Sequence, residues 1–180
     1  KPTFGRVSLR GAIPLSWNLD HVGPLTSTVK DAALLMQVIS AYDSLDPASI
    51  KMMNGDYLGH LADEMYGRKI ALAVGEFVET SDAEVLESVR EAAKVFEKMG
   101  CKIEEVNMDW LRDAALANAT MMRADAAAFH RDRLREHPEM FGEDVRIRLQ
   151  QGANTTSTEY ALARRTQTEI KKRFETFFES

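Results

Sequence analysis

The first twenty-four residues, KPTFGRVSLRGAIPLSWNLDHVGP, constrain this chain more than any other stretch. Pro2, Pro14 and Pro24 remove backbone donors, and Gly5, Gly11 and Gly23 open conformations closed to other residues. Punctuated that often, the segment cannot run as helix or strand. It reads as a shaped loop beside a site.

A length of 180 residues suits one domain or part of a larger one, with enough chain to bury a sizeable core. The hydrophobic fraction of 44% is ordinary for a globular protein. A net charge of -5 argues against nucleic acid or a membrane surface as the main partner, since both are anionic. Cys101, the single cysteine, has no intrachain partner for a disulfide and fits a reducing compartment, so the cytoplasm is the expected location. No apolar run reaches the roughly 18 residues that span a bilayer.

Downstream of the loop, Thr28 is placed to cap a helix running to about residue 41, with Asp31 in its first turn. Its apolar residues cover more than one stripe, which predicts enclosure on two sides. Residues 43 to 67 read as a connection with a short helix near 57 to 61. Lys69–Val74 has the form of a buried strand. Ser81 and Glu84 form a capping box for a helix that Gly100 ends, with Val85, Val89, Ala92, Phe96 and Met99 on its apolar face. Residues 102 to 106 alternate apolar and charged side chains, the mark of a second strand, so a right-handed parallel βαβ unit is expected.

The remainder reads as helical. One helix is expected from an Asp109 cap to Pro138, a shorter one over 143 to 151 ending at Gly152, and a long one opened by the Thr156/Glu159 capping box. Tyr160, Ala163, Gln167, Ile170, Phe174 and Phe177 form its seam.

His21, His60, His130 and His137 are scattered without the spacing of a zinc site, so no metal site is expected, and no phosphate-cradling glycine loop occurs. The HRDRLR stretch over 130 to 135 is basic, but Asp125, Asp132 and Glu136 interleave with it, which predicts a solvated, ion-paired helix face. Met52, Met53, Met121 and Met122 read as core or interface filler. Ser8, Ser16, Ser27 and Ser81 lack a Gly-Ser-Gly context and read as capping or structural groups.

At Lys1-Pro2-Thr3, Gly5-Arg6-Val7-Ser8, Gly11, Pro14, Leu19-Asp20 and Gly23-Pro24, the chain closely resembles the amidase signature family. The resemblance continues through the Val29 to Leu35 helix to Asp46-Pro47, and more weakly over the βαβ unit and the Phe129 to Val145 stretch. It implies a helix-rich α/β fold: a fragment of the amidase signature fold with a short parallel βαβ unit surrounded by helices. Residues 1–25 would be an irregular site-flanking loop, and 26–180 the helix-rich part of the same domain.

The activity implied is hydrolysis of carboxylic amides through a serine acyl-enzyme, without metal or organic cofactor. The family's two serines and its lysine base lie upstream of this segment, so the resemblance implies no catalytic residue in this chain and no turnover by the chain alone. Lys1, Thr3, Arg6, Ser8 and Asp20 would support the site. Lys1 is not the family's base. Asp20 occupies its SLD aspartate position, with Asn18 in place of the serine, and a buried carboxylate there would fix the loop wall, with Arg6 as a candidate partner. The FHRDRLREHPEMFG stretch favours a free-standing amidase over the amidase-like subunit of a tRNA-dependent amidotransferase; a non-catalytic helical interaction module is a third reading. Residues 110 to 160 are expected to supply specificity toward a small-molecule amide. Both ends look cut, which predicts open strand edges, an exposed apolar side on the helix at 28 to 41, and self-association.

Overall fold

A computed structural model describes residues 1–179, which divide into two compact units: Lys1–Ala62 together with the chain from Ala117 onward, and Asp63–Leu116.

In the first unit the opening segment forms neither helix nor strand, apart from one antiparallel bridge between Val7 and the fully buried Ser40. Tight turns fold it: the Arg6 N–H donates to the Thr3 carbonyl at 3.0 Å, and the Ala12 N–H to that of Leu9 at 3.0 Å. Gly5 sits at φ +75°, and a Cβ there would run into the Ala48 carbonyl oxygen, so only glycine lets the loop lie against the 48–50 segment. Helix α1 (Val29–Ile39) starts at Thr28, whose hydroxyl accepts the Asp31 N–H at 3.1 Å as expected. Enclosure on two sides is not found. Ala33 is the buried residue of α1, whereas Val29, Leu34, Leu35 and Val38 are exposed. The helical turn expected at 57 to 61 is a short 3-10 turn at Gly59–Ala62.

The long helices follow: α4 (Leu111–Glu136), whose residues from Ala117 onward belong to this unit, α5 (Glu143–Ala153) and α6 (Ser157–Glu179). Ala117 and Met121 of α4 meet Ala163 of α6 in the core, with Leu19 and Tyr160 packed against them. Thr156 and Glu159 cap α6 reciprocally, the Thr156 N–H donating to Glu159 at 2.7 Å and the Glu159 N–H to the Thr156 hydroxyl at 3.2 Å. Gly152 does not end α5. It is buried within the helix, where a side chain would collide with the Arg123 carbonyl oxygen of α4. Met121 is core as expected, but Met52 and Met53 are 58% and 90% exposed, because the 51–56 connection lies on the surface.

The second unit carries the parallel pair β1 (Lys69–Val74) and β2 (Lys102–Asn107), in register Ile70 to Ile103 and Ala73 to Val106. A short helix, α2 (Glu76–Glu79), precedes α3 (Ala83–Lys98). The α3 cap is Asp82, accepting the Glu84 N–H at 2.9 Å, not Ser81. The shift accompanies α2: the chain leaves that helix through a turn in which the Ser81 N–H donates to the Val78 carbonyl at 3.0 Å, and Asp82 is the residue directly before α3. Gly100, at φ +87°, ends the α3 segment in the left-handed conformation as expected. Asp109 does not cap its own helix; its carboxylate accepts the Phe77 N–H at 2.8 Å and the Asn107 amide at 2.9 Å, and those bonds hold it below the usual carboxylate range. β1 is exposed at Lys69 and Ala71 and half-buried at its other residues, so it is not the buried strand expected, and α3 has no buried residue.

Candidate functional site

The loop of residues 14 to 20 is tied down by two carboxylates. That of Asp20 takes the Leu15 N–H at 2.8 Å and the Ser16 N–H at 3.1 Å, folding the turn that carries Trp17. A turn of this kind exposes successive amide hydrogens that cannot reach a carbonyl, and the aspartate at the end of the turn satisfies them. From inside, the Ser16 hydroxyl donates to Asp125 of α4 at 2.6 Å, and the Tyr160 hydroxyl of α6 donates to the other oxygen of the same carboxylate at 2.8 Å. Ser16 is 1% and Asp125 5% exposed. Burial, and then the bond to Asp125, push the Tyr160 hydroxyl above its usual pKa. An unbroken chain of hydrogen bonds thus runs from α6 through α4 to the loop.

Asp125 follows Ala117 and Met121 at four-residue steps along one face of α4, and that face turns inward. The ion-paired face expected for residues 130 to 136 is present, with Arg131 and Arg135 on Asp132 and Arg135 on Glu136, but Asp125 is not part of it. His130 lies between the rings of Phe129 and Phe141, with centroids at 4.8 and 5.4 Å. Burial and the nearby Arg133 lower its pKa.

The other residues singled out in the sequence are spread along the same loop. Arg6 does not pair with Asp20; its Nε donates to the Tyr57 hydroxyl at 2.9 Å and its guanidinium lies over that ring. The physical reason is that Asp20 is consumed by local backbone donors. Ser8 donates to Asp43 at 2.8 Å, and Arg10 reaches the same carboxylate at 2.9 Å. The Leu45 N–H, then Ser8 and Arg10, hold Asp43 below the usual carboxylate range. The Lys1 ammonium lies 3.0 Å from His21 Nε2, while His21 Nδ1 lies 2.6 Å from the Leu19 carbonyl, so the ring donates inward and accepts from Lys1. Thr3 is exposed and contributes its carbonyl to the Arg6 turn. Among the described residues no serine hydroxyl bonds to a lysine ammonium: Ser8 and Ser16 donate to carboxylates and Lys1 to a histidine.

Asp125, Tyr160 and Trp17 do not stand out in the sequence as site residues. The capping box that places Tyr160 one residue beyond Glu159 is readable there, but its partner 35 positions away is not. Among the described residues there is no cluster of metal-ligating side chains, and no helix is long and apolar enough to cross a membrane.

The amidase family model, described simply as Amidase, matches residues 1–180. An amidase from Pseudomonas putida is 36% identical over 172 residues, covering 96% of this chain and 37% of its own length. A glutamyl-tRNA(Gln) amidotransferase subunit from Bacillus velezensis is 34% identical over 203 residues, covering 99% of this chain and 42% of its own length. Among solved structures, a crystal structure of an amidase superposes with a TM-score of 0.75 at 27% identity, covering 97% of this chain and 36% of that one. A chain from a vestigial protein complex bearing on the origins of an s-triazine catabolic enzyme superposes with a TM-score of 0.92 at 25% identity, covering 99% of this chain and 38% of that one. The chain therefore spans about two-fifths of the length of these relatives, and the helix-rich fold with its short parallel sheet is theirs. By the match along its whole length and by the identity of its relatives, the chain belongs to the amidase family.

Proposed function

We propose that this chain is part of an amidase that hydrolyses carboxylic amide C–N bonds through a serine acyl-enzyme, and that it is catalytically silent alone. One observation carries the reading: the family match extends from the first residue to the last, while both serine hydroxyls of the site-flanking loop are engaged with carboxylates and neither with a lysine. Amide hydrolysis of this type needs an oxygen nucleophile, a base to receive its proton, and donors for the oxyanion. On this reading the nucleophile and the base are not among these 180 residues. What the chain supplies is rigid scaffold, with Asp20, Ser16 and Asp125 fixing one wall and Lys1, Thr3, Arg6 and Ser8 its flank.

The substrate is a small-molecule amide; neither nucleic acid nor membrane is a partner, and the single unpaired cysteine supports a cytoplasmic setting. The exposed apolar side of α1 supports self-association of the isolated chain. A second reading, the amidase-like subunit of a tRNA-dependent amidotransferase, is supported by relatives named as glutamyl-tRNA(Gln) amidotransferase subunits at 31–34% identity. It is the weaker one, since the Pseudomonas amidase is more similar, at 36%.

The test is ammonia release from simple carboxamides by the 180-residue chain and by a longer protein in which a glycine- and serine-rich run of the family type is placed before Lys1. The chain alone should show none and the longer protein sustained turnover that a serine-directed reagent stops. Turnover by the chain alone, sensitive to that reagent, would overturn the reading. Copurification of the longer protein with a stoichiometric partner, and ammonia transfer only in its presence, would favour the amidotransferase.

A further inference from the structure

Beside the Asp20 turn, in the first unit, lies a cleft of about 320 Å³, near the lower end of the size range of small-molecule sites. Its lining includes Pro14, Pro47, Ala12, Trp17 and Phe129, so most of the wall is flat and short. The Trp17 and Phe129 rings meet edge to face with centroids 6.2 Å apart, making an aromatic corner. Trp17 is 47% exposed, so the corner stands open.

Three ionisable groups also border the cleft: Arg10, Asp20 and Asp46. Each is already engaged. Asp20 holds the Leu15 and Ser16 amides. Asp46 takes the Leu9 N–H at 2.7 Å on one oxygen and the Ala48 N–H at 2.9 Å on the other, and is 8% exposed. Arg10 is paired with Asp43 at 2.9 Å. The Arg10 charge is already neutralised by Asp43, and both carboxylates already accept two backbone N–H groups each, so a charged ring would lose hydration for little gain here, while an uncharged ring needs none of these groups.

The same bonds make the cleft stiff. Asp20 and the Ser16–Asp125–Tyr160 chain fix the side bearing Trp17; Asp46 fixes the side bearing Pro47 and Ala48. Two proline rings add surfaces with no rotamer freedom to lose, so little ordering entropy opposes the entry of a flat group. Aromatic corners of this type favour a third ring in offset or edge-on contact.

We propose that this cleft is a binding site for the uncharged aromatic portion of a carboxamide, with Trp17 and Phe129 as its contact rings. The assignment of the ligand as an amide rests on the amidase reading above; the preference for an uncharged ring rests on the cleft itself.

The experiment uses the chain as it is. Its two tryptophans give two indole N–H signals in a proton–nitrogen NMR spectrum, so Trp17 reports the cleft and Trp110 serves as internal control. Benzamide is the probe, with acetamide, benzoate and benzamidine as comparisons. Benzamide should shift the Trp17 signal saturably, with a Kd in the millimolar range expected of so small a ligand, and leave Trp110 unmoved. Acetamide should fail to saturate, and both charged rings should bind more weakly than benzamide.

Ala12 is exposed, so Ala12→Leu leaves the interior alone while filling the cleft. It should weaken benzamide by about tenfold or more, the order that a pocket shows when its apolar fit changes by a few atoms. Equal shifts of both indoles, tighter binding of benzamidine or benzoate, or an unaffected Ala12→Leu variant would each overturn the proposal. None of these readouts needs hydrolysis. Absence of turnover in the longer protein would sink the amidase reading and leave the binding result standing, and the reverse holds equally.

Discussion

Asp125 shows what a single residue contributes when its neighbours are unknown to local pattern. In the sequence it precedes a run of arginines and reads as one more member of a charged face. In the fold it is 5% exposed, and its two oxygens receive the Ser16 and Tyr160 hydroxyls. Ser16→Ala and Tyr160→Phe each remove one donor to a buried carboxylate and should cost about 1.5–3 kcal/mol, the range for hydrogen bonds to charged groups. Asp125→Ala strands both hydroxyls and should cost more than either. Urea denaturation of the three variants checks the order; equal and negligible losses would show that the carboxylate is solvated.

The pH dependence has a definite sign. The Tyr160 hydroxyl titrates higher in the folded chain than its ordinary value of about 10, because burial and then Asp125 disfavour the phenolate. Its contribution to stability is therefore complete below the unfolded value and is lost as the pH rises through the folded one. The stability gap between the unsubstituted chain and Tyr160→Phe should be constant from neutral pH to about 9 and shrink above about 10. Asp20 is the contrasting case. The family resemblance marks it through the SLD position as a buried carboxylate; it is only half-buried, because it sits at the loop surface where it accepts the Leu15 and Ser16 N–H groups, and the partner of Arg6 is not legible, because that choice depends on Tyr57, 51 positions away.

At the scale of elements, periodicity and caps locate the helices and strands, and the errors fall where one element changes the meaning of the next. Insertion of α2 before α3 moves the cap from Ser81 to Asp82. Asp82→Ala should therefore destabilise by about 1 kcal/mol, the usual cost of losing a capping side chain, while Ser81→Ala should be close to neutral. Thermal melts that ranked the two in the opposite order would reinstate Ser81 as the cap. Gly152 has the look of a stop signal, as glycine near a helix end often does. Its actual cause is contact: α5 packs so tightly on α4 that a Cβ would strike the Arg123 carbonyl oxygen. Helix propensity alone would make Gly152→Ala stabilising by about 1 kcal/mol, but overpacking costs of about 1–3 kcal/mol should outweigh it. A higher melting temperature for that variant would mean that the two helices can separate at little cost.

At the scale of the whole molecule, large apolar side chains stand exposed together along one helix. Val29 and Val38 of α1 are 74% and 71% exposed, and Leu34 and Leu35 are 51% and 42% exposed, on a helix whose pattern calls for cover on two sides. Sequence can locate these residues but not their cover, and the chain spans about two-fifths of its relatives' length. Apolar surface left in water favours any association that removes it, at roughly 25 cal/mol per Å², and a two-fold pairing of the same helix is the simplest closed solution. We therefore expect the isolated chain to sediment as a concentration-dependent dimer. Val29→Glu with Val38→Glu places like charges on exposed positions of α1 without touching Ala33, so the fold should survive while the dimer dissociates. A chain that stays monomeric at high concentration, or a dimer indifferent to the double substitution, would show that α1 is not the face that associates. The second unit offers a competing surface, since β1 and β2 are each hydrogen-bonded along one edge only among the described residues. Association through those edges would extend the ladder, protect the β1 and β2 amides from exchange, and leave α1 unprotected. Hydrogen exchange across the dimerisation range thus distinguishes the two, and protection confined to α1 is the expected outcome.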